Sequence, residues 1–211
     1  MISHKHRCIF VEVPKTGTTS IRSIIGSGRP PHMDLAQKQA AIIYGHQQYG
    51  GAATILNYII PKKKRKKNGE EKFKSYYKFG LVRNPWDRTV SLYKRREGVQ
   101  LSQQMSFVEF VDWIQYASAT CVYPSPHRNQ LDWFTDTNGI VLADYIGRFE
   151  TIENDWEVIR EKLGISETLP HKNINPEGRK HYTEYYNKKT RDVIAKKFKT
   201  DIEYFGYEFG K

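Results

Sequence analysis

Cysteine is scarce in these 211 residues: Cys8 and Cys121 are the only two. Two thiols allow at most one internal disulfide and cannot complete a four-ligand metal site. Neither a disulfide-stapled scaffold nor a cysteine-built metal module fits, and free thiols in a reducing compartment are the expectation. Long hydrophobic runs are missing too. No stretch approaches the roughly 20 apolar residues of a membrane helix, and the opening Met1–His6 runs directly into Ile9-Phe10-Val11. That leaves no room for the apolar region and cleavage site of a signal peptide. The expected location is cytoplasmic, with a catalytic domain cut from something longer as the other reading. No internal repeat and no second domain is visible, so residues 1–211 are expected to form one domain. Metal-ligand spacings such as H-x-x-x-H or paired C-x-x-C are also absent, and no metal is expected.

What is present is a globular composition with 38% hydrophobic, 27% charged and 13% aromatic residues. The net charge of +11 favours anionic partners, though charge alone does not choose among phosphates, sulfated sugars, nucleic acid and acidic membranes. Much of that charge lies in Lys62-Lys63-Lys64-Arg65-Lys66-Lys67, read as part of an exposed basic loop or insertion over 61–74.

Along the chain, Cys8–Val13 reads as a buried strand. Pro14-Lys15-Thr16-Gly17 breaks it, and Thr18–Ile25 carries Ile21, Ile24 and Ile25 on one helical face. Ala40–Tyr44 reads as a short strand leading to Gly45-His46, and Tyr76–Val82 as another strand closed by Arg83-Asn84-Pro85. Pro85 suits the first turn of a following helix. Phe107–Ile114 has helical periodicity, with Ser106 and Glu109 forming a capping pair. Asn138-Gly139 marks a turn before a strand region over Ile140–Phe149. A helix over Ile152–Leu163 is capped by Thr151 and stopped by Gly164. Pro170–Lys180 reads as a loop and Tyr182–Phe198 as the last helix. Alternating strands and helices predict an α/β fold: three layers with a mostly parallel central sheet flanked by helices.

Two strand ends carry basic residues, and ligands of such sheets bind at strand carboxyl ends. In Val13-Pro14-Lys15-Thr16-Gly17-Thr18-Thr19-Ser20 a strand gives way to a glycine turn and a helix start. The N–H groups of that start attract anions, Lys15 adds a mobile charge, and Thr16, Thr18, Thr19 and Ser20 add hydroxyls. It is not a Walker A loop, whose lysine follows its last glycine. In Leu81-Val82-Arg83-Asn84-Pro85-Trp86-Asp87-Arg88-Thr89-Val90-Ser91-Leu92-Tyr93, an arginine fork at a strand end and Ser91 two turns into the helix can share one phosphate.

Together, Pro-Lys-Thr-Gly-Thr-Thr-Ser and Arg-Asn-Pro-(x)₂-Arg-(x)₂-Ser-x-Tyr, in that order after two strands, resemble the sulfotransferases that use 3′-phosphoadenosine-5′-phosphosulfate (PAPS). The likeness is to the carbohydrate type, that of the heparan 2-O-sulfotransferases and their bacterial relatives, with the P-loop-like form of the predicted fold. Weaker likenesses at Ile146-Gly147-Arg148-Phe149-Glu150, Pro170-His171-Lys172-Asn173 and Phe205–Phe209 extend it over roughly residues 8–209. The resemblance implies a 5′-phosphosulfate site at Lys15, Thr16, Gly17, Thr18, Thr19 and Ser20, and a 3′-phosphate site at Arg83 and Ser91. It also implies a closing loop whose Arg179 and Lys180 reach the 3′-phosphate. Lys15 would stabilise the leaving phosphate. His46 would be the general base, with His32 and Asp34 as alternatives.

The implied reaction moves a sulfuryl group from PAPS to a hydroxyl acceptor, with a saccharide as the expected partner and no nucleic acid. A nucleotide or small-molecule kinase would share the strand–loop–helix site but needs a Walker lysine and magnesium ligands. A non-enzymatic polyanion or nucleic-acid binder would account for the basic run but not for Lys15 and Arg83 at strand ends.

Overall fold

The computed structural model describes residues 1–26, 33–44, 62–94, 105–116, 129–170 and 180–211. Its centre is a four-stranded sheet in spatial order β1 (Ile2–Ser3), β2 (Cys8–Val11), β3 (Tyr77–Val82) and β4 (Tyr145–Arg148). The pairs β2–β3 and β3–β4 are parallel, with Phe10 opposite Phe79 and Gly80 opposite Ile146. Only the short β1 runs antiparallel, setting Ile2 against Ile9.

The pleat sends alternate residues to opposite faces, and the buried strands show it. Cys8, Phe10, Phe79 and Leu81 face a layer holding Ile21 and Ile25 of α1 (Thr18–Ile25) and Trp156 and Ile159 of α6 (Ile152–Leu163). Ile9, Val11 and Val82 face the opposite layer. Its apolar residues come from α2 (Leu35–Tyr44), α3 (Lys62–Ser75), α4 (Pro85–Tyr93), α5 (Phe107–Tyr116) and α7 (Lys188–Lys197). A last helix, α8 (Lys199–Phe205), adds partly buried Ile202 and Phe205. The result is the expected mixed α/β arrangement, with helices on both faces of a mostly parallel sheet. No helix among the described residues is long and apolar enough to cross a membrane.

Three element readings need correction. The expected strand Ala40–Tyr44 is the second half of α2. Ile42 and Ile43 favour strands, but the upstream Leu-Ala-Gln-Lys-Gln-Ala segment favours helix. Asp34 and Gln37 start that helix with reciprocal side-chain bonds: Gln37 N donates to Asp34 Oδ1 at 2.6 Å, and Asp34 N to Gln37 Oε1 at 3.1 Å.

The basic stretch over 61–74, expected as a loop, is α3 from Lys62 onward. Lysine, arginine and glutamate are good helix formers, and Lys66–Glu70 and Lys67–Glu71 pair one turn apart at 3.9 and 4.0 Å. Among the α3 residues whose burial is described, Gly69 and Phe73 turn inward, as does Tyr76 just beyond the helix. A Cβ on Gly69 would lie 2.6 Å from Ile43 Cα, so the glycine is what lets α3 lie close against α2.

The single helix expected over Tyr182–Phe198 is a 3₁₀ turn (Tyr182–Tyr185) followed by α7 and α8. Asn187 restarts the helix, accepting from Thr190 N at 2.8 Å. Thr151 stands at the start of α6 but its side chain makes no capping bond; its hydroxyl donates to Asp155 Oδ2 at 2.7 Å instead. The loop expected over Pro170–Lys180 lies mostly outside the described residues. Ser106 and Glu109 exchange bonds at the start of α5, and Gly164 ends α6 at φ 64°. The strand region over Ile140–Phe149 narrows to Tyr145–Arg148, with one isolated bridge from Thr135 to Val141.

Candidate active site

The loop after β2 is held in an unusual backbone conformation. Lys15 has φ 71° and Gly17 φ 78°, two left-handed residues flanking Thr16. For lysine this costs roughly 1–2 kcal/mol, and strain of this kind persists where surrounding contacts impose it. Thr16 is fully buried, and its hydroxyl donates to Val13 O at 2.9 Å. The Thr16 hydroxyl thus ties the turn together. Gly17 stands at the N-cap of α1 and has no side-chain acceptor to offer its opening N–H groups, and Ser20 N donates to Gly17 O at 3.3 Å. Thr18 is half-buried, Thr19 exposed and Ser20 buried.

Gly17 is also the tightest point of the loop. A Cβ there would sit 2.9 Å from Ile152 Cδ1 and 3.1 Å from Phe149 Cδ2. The turn joining β4 to α6 is thus wedged under the loop, and the same Phe149 carries the second motif. The Arg83 guanidinium stacks over its ring, 4.0 Å from the centroid.

Arg83 is 7% exposed and joins the two strand ends. Its Nη1 donates to Lys15 O at 3.1 Å, while Nε and Nη2 reach Asp87 Oδ2 at 2.7 and 2.6 Å. Arg88, one turn into α4, donates from Nε to Pro14 O at 3.1 Å. Two arginines of the second motif therefore grip consecutive carbonyls of the first. Ser91 lies one turn beyond Arg88 on the same side of α4 and is half-buried.

Residues distant in sequence brace this arrangement. Gln130, fully buried, accepts from Arg83 N at 2.9 Å and donates to Arg83 O at 2.8 Å. Asp201, at the start of α8, accepts from Gln130 N at 2.8 Å and from Leu131 N at 3.0 Å. Burial pushes the Asp201 carboxyl above the usual range, against the opposing pull of these amide donors and of Arg88. Asn84 caps α4 through Trp86 N and sends its amide N–H groups to Tyr182 OH, Glu208 O and Lys211 O at 3.1–3.3 Å. Glu150 accepts from Asn84 N at 2.6 Å.

The structure thus brings Lys15 through Ser20 together with Arg83 at adjacent parallel strand ends. Lys180 is exposed. His46, His32 and Arg179 lie outside the described residues. Asp34, the alternative base, is 6% exposed and engaged in starting α2. Sequence reasoning passed over Arg88, Gln130, Asp201 and Asn84. The Arg88 position stood inside the quoted motif, but Gln130 and Asp201 meet across 71 residues with no local signal. Among the described residues, no group of three or more His, Cys, Asp or Glu is placed to hold a metal ion.

The parallel sheet thus brings two cationic strand ends together, cross-bonded to each other, and one of them leads into the start of α1. The chain belongs to the sulfotransferase family, whose model matches residues 1–208. It is 22% identical to carbohydrate sulfotransferase 10 of Xenopus laevis over 98% of this chain and 66% of that protein. The human carbohydrate sulfotransferase 10 is 20% identical over the same shares. The chain therefore spans just under two thirds of the length of these relatives. An uncharacterized protein of Archaeoglobus fulgidus is 33% identical over 50% of this chain and 82% of its own length. No solved structure matches significantly.

Proposed function

We propose that this chain transfers a sulfuryl group from PAPS to a hydroxyl of a saccharide acceptor. One observation carries the reading: Arg83 and Arg88 hold the Lys15 and Pro14 carbonyls, so the loop's acceptors are turned inward. In this reading the N–H side of the loop and the start of α1 receive the anion. The left-handed Lys15 and Gly17 form a cradle that fits a phosphosulfate, and a Cβ at Gly17 would distort it.

In this reading Thr18, Thr19 and Ser20 add hydroxyl donors to the 5′ group, while Thr16 keeps the turn. Arg83 and Ser91 bind the 3′-phosphate, with Asp87 orienting the Arg83 fork, and Arg179 and Lys180 close over it. Bound PAPS supplies a sulfuryl group already joined to a phosphate leaving group. The acceptor oxygen attacks sulfur in line, the bond from sulfur to the phosphate oxygen breaks, and the acceptor proton passes to His46. Lys15 neutralises charge growing on the leaving oxygen, an interaction stronger in the transition state than before it. No metal is needed for these steps. The similarity to carbohydrate sulfotransferases supports the saccharide acceptor.

The test is calorimetry with PAP, the desulfated product, in the presence of a chelator, followed by sulfate transfer from labelled PAPS to a panel of saccharides. PAP is expected to bind and to raise the melting temperature by mass action. Lys15→Ala is expected to lower kcat by roughly 10²–10³. His46→Ala is expected to keep PAP binding and to lose roughly 10²–10⁴ in rate. Absence of PAP binding at millimolar concentration overturns the reading.

A further inference from the structure

Arg83 stands one residue past the last pair of the β3–β4 ladder, Val82 opposite Arg148. There a side chain takes hold of its backbone: Gln130 Oε1 accepts from Arg83 N at 2.9 Å, and Gln130 Nε2 donates to Arg83 O at 2.8 Å. We propose that Gln130, oriented by Asp201, is a positioning residue that aims the Arg83 guanidinium at the 3′-phosphate and so sets the preference for a 3′-phosphorylated donor. The proposal rests on the sulfotransferase reading and deepens it.

The Arg83 N–H belongs to the peptide before the residue and the C=O to the peptide after it. Tying both peptide planes to one rigid carboxamide fixes φ and ψ of Arg83 together, and with them the direction in which its side chain leaves the backbone. A carboxamide offers a donor and an acceptor side by side, which neither a carboxylate nor an ammonium does.

An amide can also be turned end for end with little change of shape. Turned that way, Gln130 would set NH₂ against the Arg83 N–H and oxygen against the Arg83 carbonyl. Asp201 prevents it. Of the two hydrogens on Gln130 Nε2, one goes to Arg83 O, and Asp201 Oδ2 stands 3.3 Å away to take the other. The same oxygen accepts from Gln130 N at 2.8 Å, and Oδ1 accepts from Leu131 N at 3.0 Å. The carboxylate thus holds both the backbone and the amide end of Gln130. An asparagine at 201 would bring its NH₂ against one of these N–H groups in either orientation.

Gln130 and Asp201 are both fully buried. Apolar side chains would fasten α8 to the molecule without the desolvation of a carboxylate. Arg88, itself 3% exposed, lends its charge to Asp201 and donates to Pro14 O at 3.1 Å. Asp201 therefore bears on both motifs: on Arg83 through the Gln130 amide, and on the loop after β2 through Arg88. A helix far along the chain is keyed to the donor site.

The test is calorimetry of PAP and AMP, which differ only in the 3′-phosphate, on the wild type, Asp201→Asn, Gln130→Met and the double variant. The ratio of the two affinities isolates what the 3′-phosphate contributes. Each single variant is expected to lower that ratio roughly tenfold, the worth of one misaligned charge-assisted hydrogen bond, while AMP affinity stays within about twofold. The double variant is expected to lower the ratio no further than Gln130→Met alone, because Asp201 acts through the glutamine. A lowered melting temperature with a wild-type ratio overturns the proposal, since the pair then only holds the fold. Additive losses in the double variant overturn it as well. Should Gln130→Met fail to fold, exchange of the Arg83 amide proton is followed by NMR in the wild type and Asp201→Asn. Faster exchange at Arg83, with the Phe79 and Leu81 amides of β3 unchanged, is expected, and equal protection overturns the proposal. If the wild type binds PAP no better than AMP, the 3′-phosphate reading fails, while the Arg83 exchange still decides whether Asp201 orients Gln130.

Discussion

Replacing Gly17 with alanine tests the loop geometry directly, because two separable costs meet there. The backbone sits at φ 78°, where an L-residue costs roughly 1–2 kcal/mol. The new Cβ would also meet Ile152 Cδ1 at 2.9 Å and the Phe149 ring at 3.1 Å. The isoleucine methyl can swing aside, but the Phe149 ring is held under the Arg83 guanidinium at 4.0 Å. Displacing it adds about 1 kcal/mol, the lower end of overpacking costs. The sum is about 2–3 kcal/mol. For a chain of this size that lowers the melting temperature by roughly 4–12 °C. PAP affinity is expected to fall as well, since a displaced Phe149 carries Arg83 with it. Ile152→Val removes only Cδ1, at a cost of about 0.5–1.5 kcal/mol alone. In the double variant it is expected to recover part of the Gly17→Ala loss, which thermal melts and PAP calorimetry on all four proteins measure as a coupling energy. A Gly17→Ala protein with wild-type melting temperature and PAP affinity would refute the left-handed, wedged loop.

Arg83→Ala is expected to weaken PAP by about 1.5–3 kcal/mol, and adenosine 5′-phosphosulfate, which lacks the 3′-phosphate, by much less; equal losses in calorimetry would remove Arg83 from the 3′ site. Gly69→Ala gains up to about 1 kcal/mol of helix propensity. A Cβ 2.6 Å from the Ile43 backbone is nevertheless expected to outweigh that gain, giving a net loss of stability in denaturant titration; a stabilised variant would show that α3 does not lie against α2. Burial pushes the Cys8 thiol up to about 12, which keeps it protonated, so a thiol reagent at pH 8 is expected to leave Cys8 unmodified until denaturant is added. Peptide mapping that finds native Cys8 labelled at the rate of an exposed thiol would contradict its placement in β2.

The parts of the fold that could be read from the sequence are those where local signals agree. β2 is a continuous apolar run, β3 is apolar apart from Lys78, α1 and α5 have helical apolar spacing, and Ser106, Gly164 and Pro85 mark helix ends as their chemistry requires. The failures have physical causes. Among its described side chains α3 buries Phe73, with Gly69 against α2, and the charged residues around them hide the helical period. In α2 the strand preference of Ile42 and Ile43 is overridden by the helix formers before them. The last helical region breaks at Asn187, whose side chain caps a new helix instead of continuing an old one. At the candidate site, both motifs were visible as strand ends. Their mutual bonding was not, because Arg88 to Pro14 and Gln130 to Asp201 are contacts across 74 and 71 residues.

The Asn84 amide holds Tyr182, Glu208 and Lys211 against the second motif, and its durability follows from its neighbour. Asparagine ages by attack of the next residue's backbone nitrogen on its side-chain carbonyl, forming a succinimide that opens to aspartate or isoaspartate. The next residue here is Pro85, which has no N–H to deprotonate, so that route is closed. Conversion to aspartate would replace an N–H donor with a carboxylate facing two carbonyls, close to Glu150. The exposed Asn138, followed by Gly139 at φ 80°, has no such protection. In stored protein, isoaspartate is therefore expected at the β4-proximal turn first, while the clasp on the second motif keeps its amide.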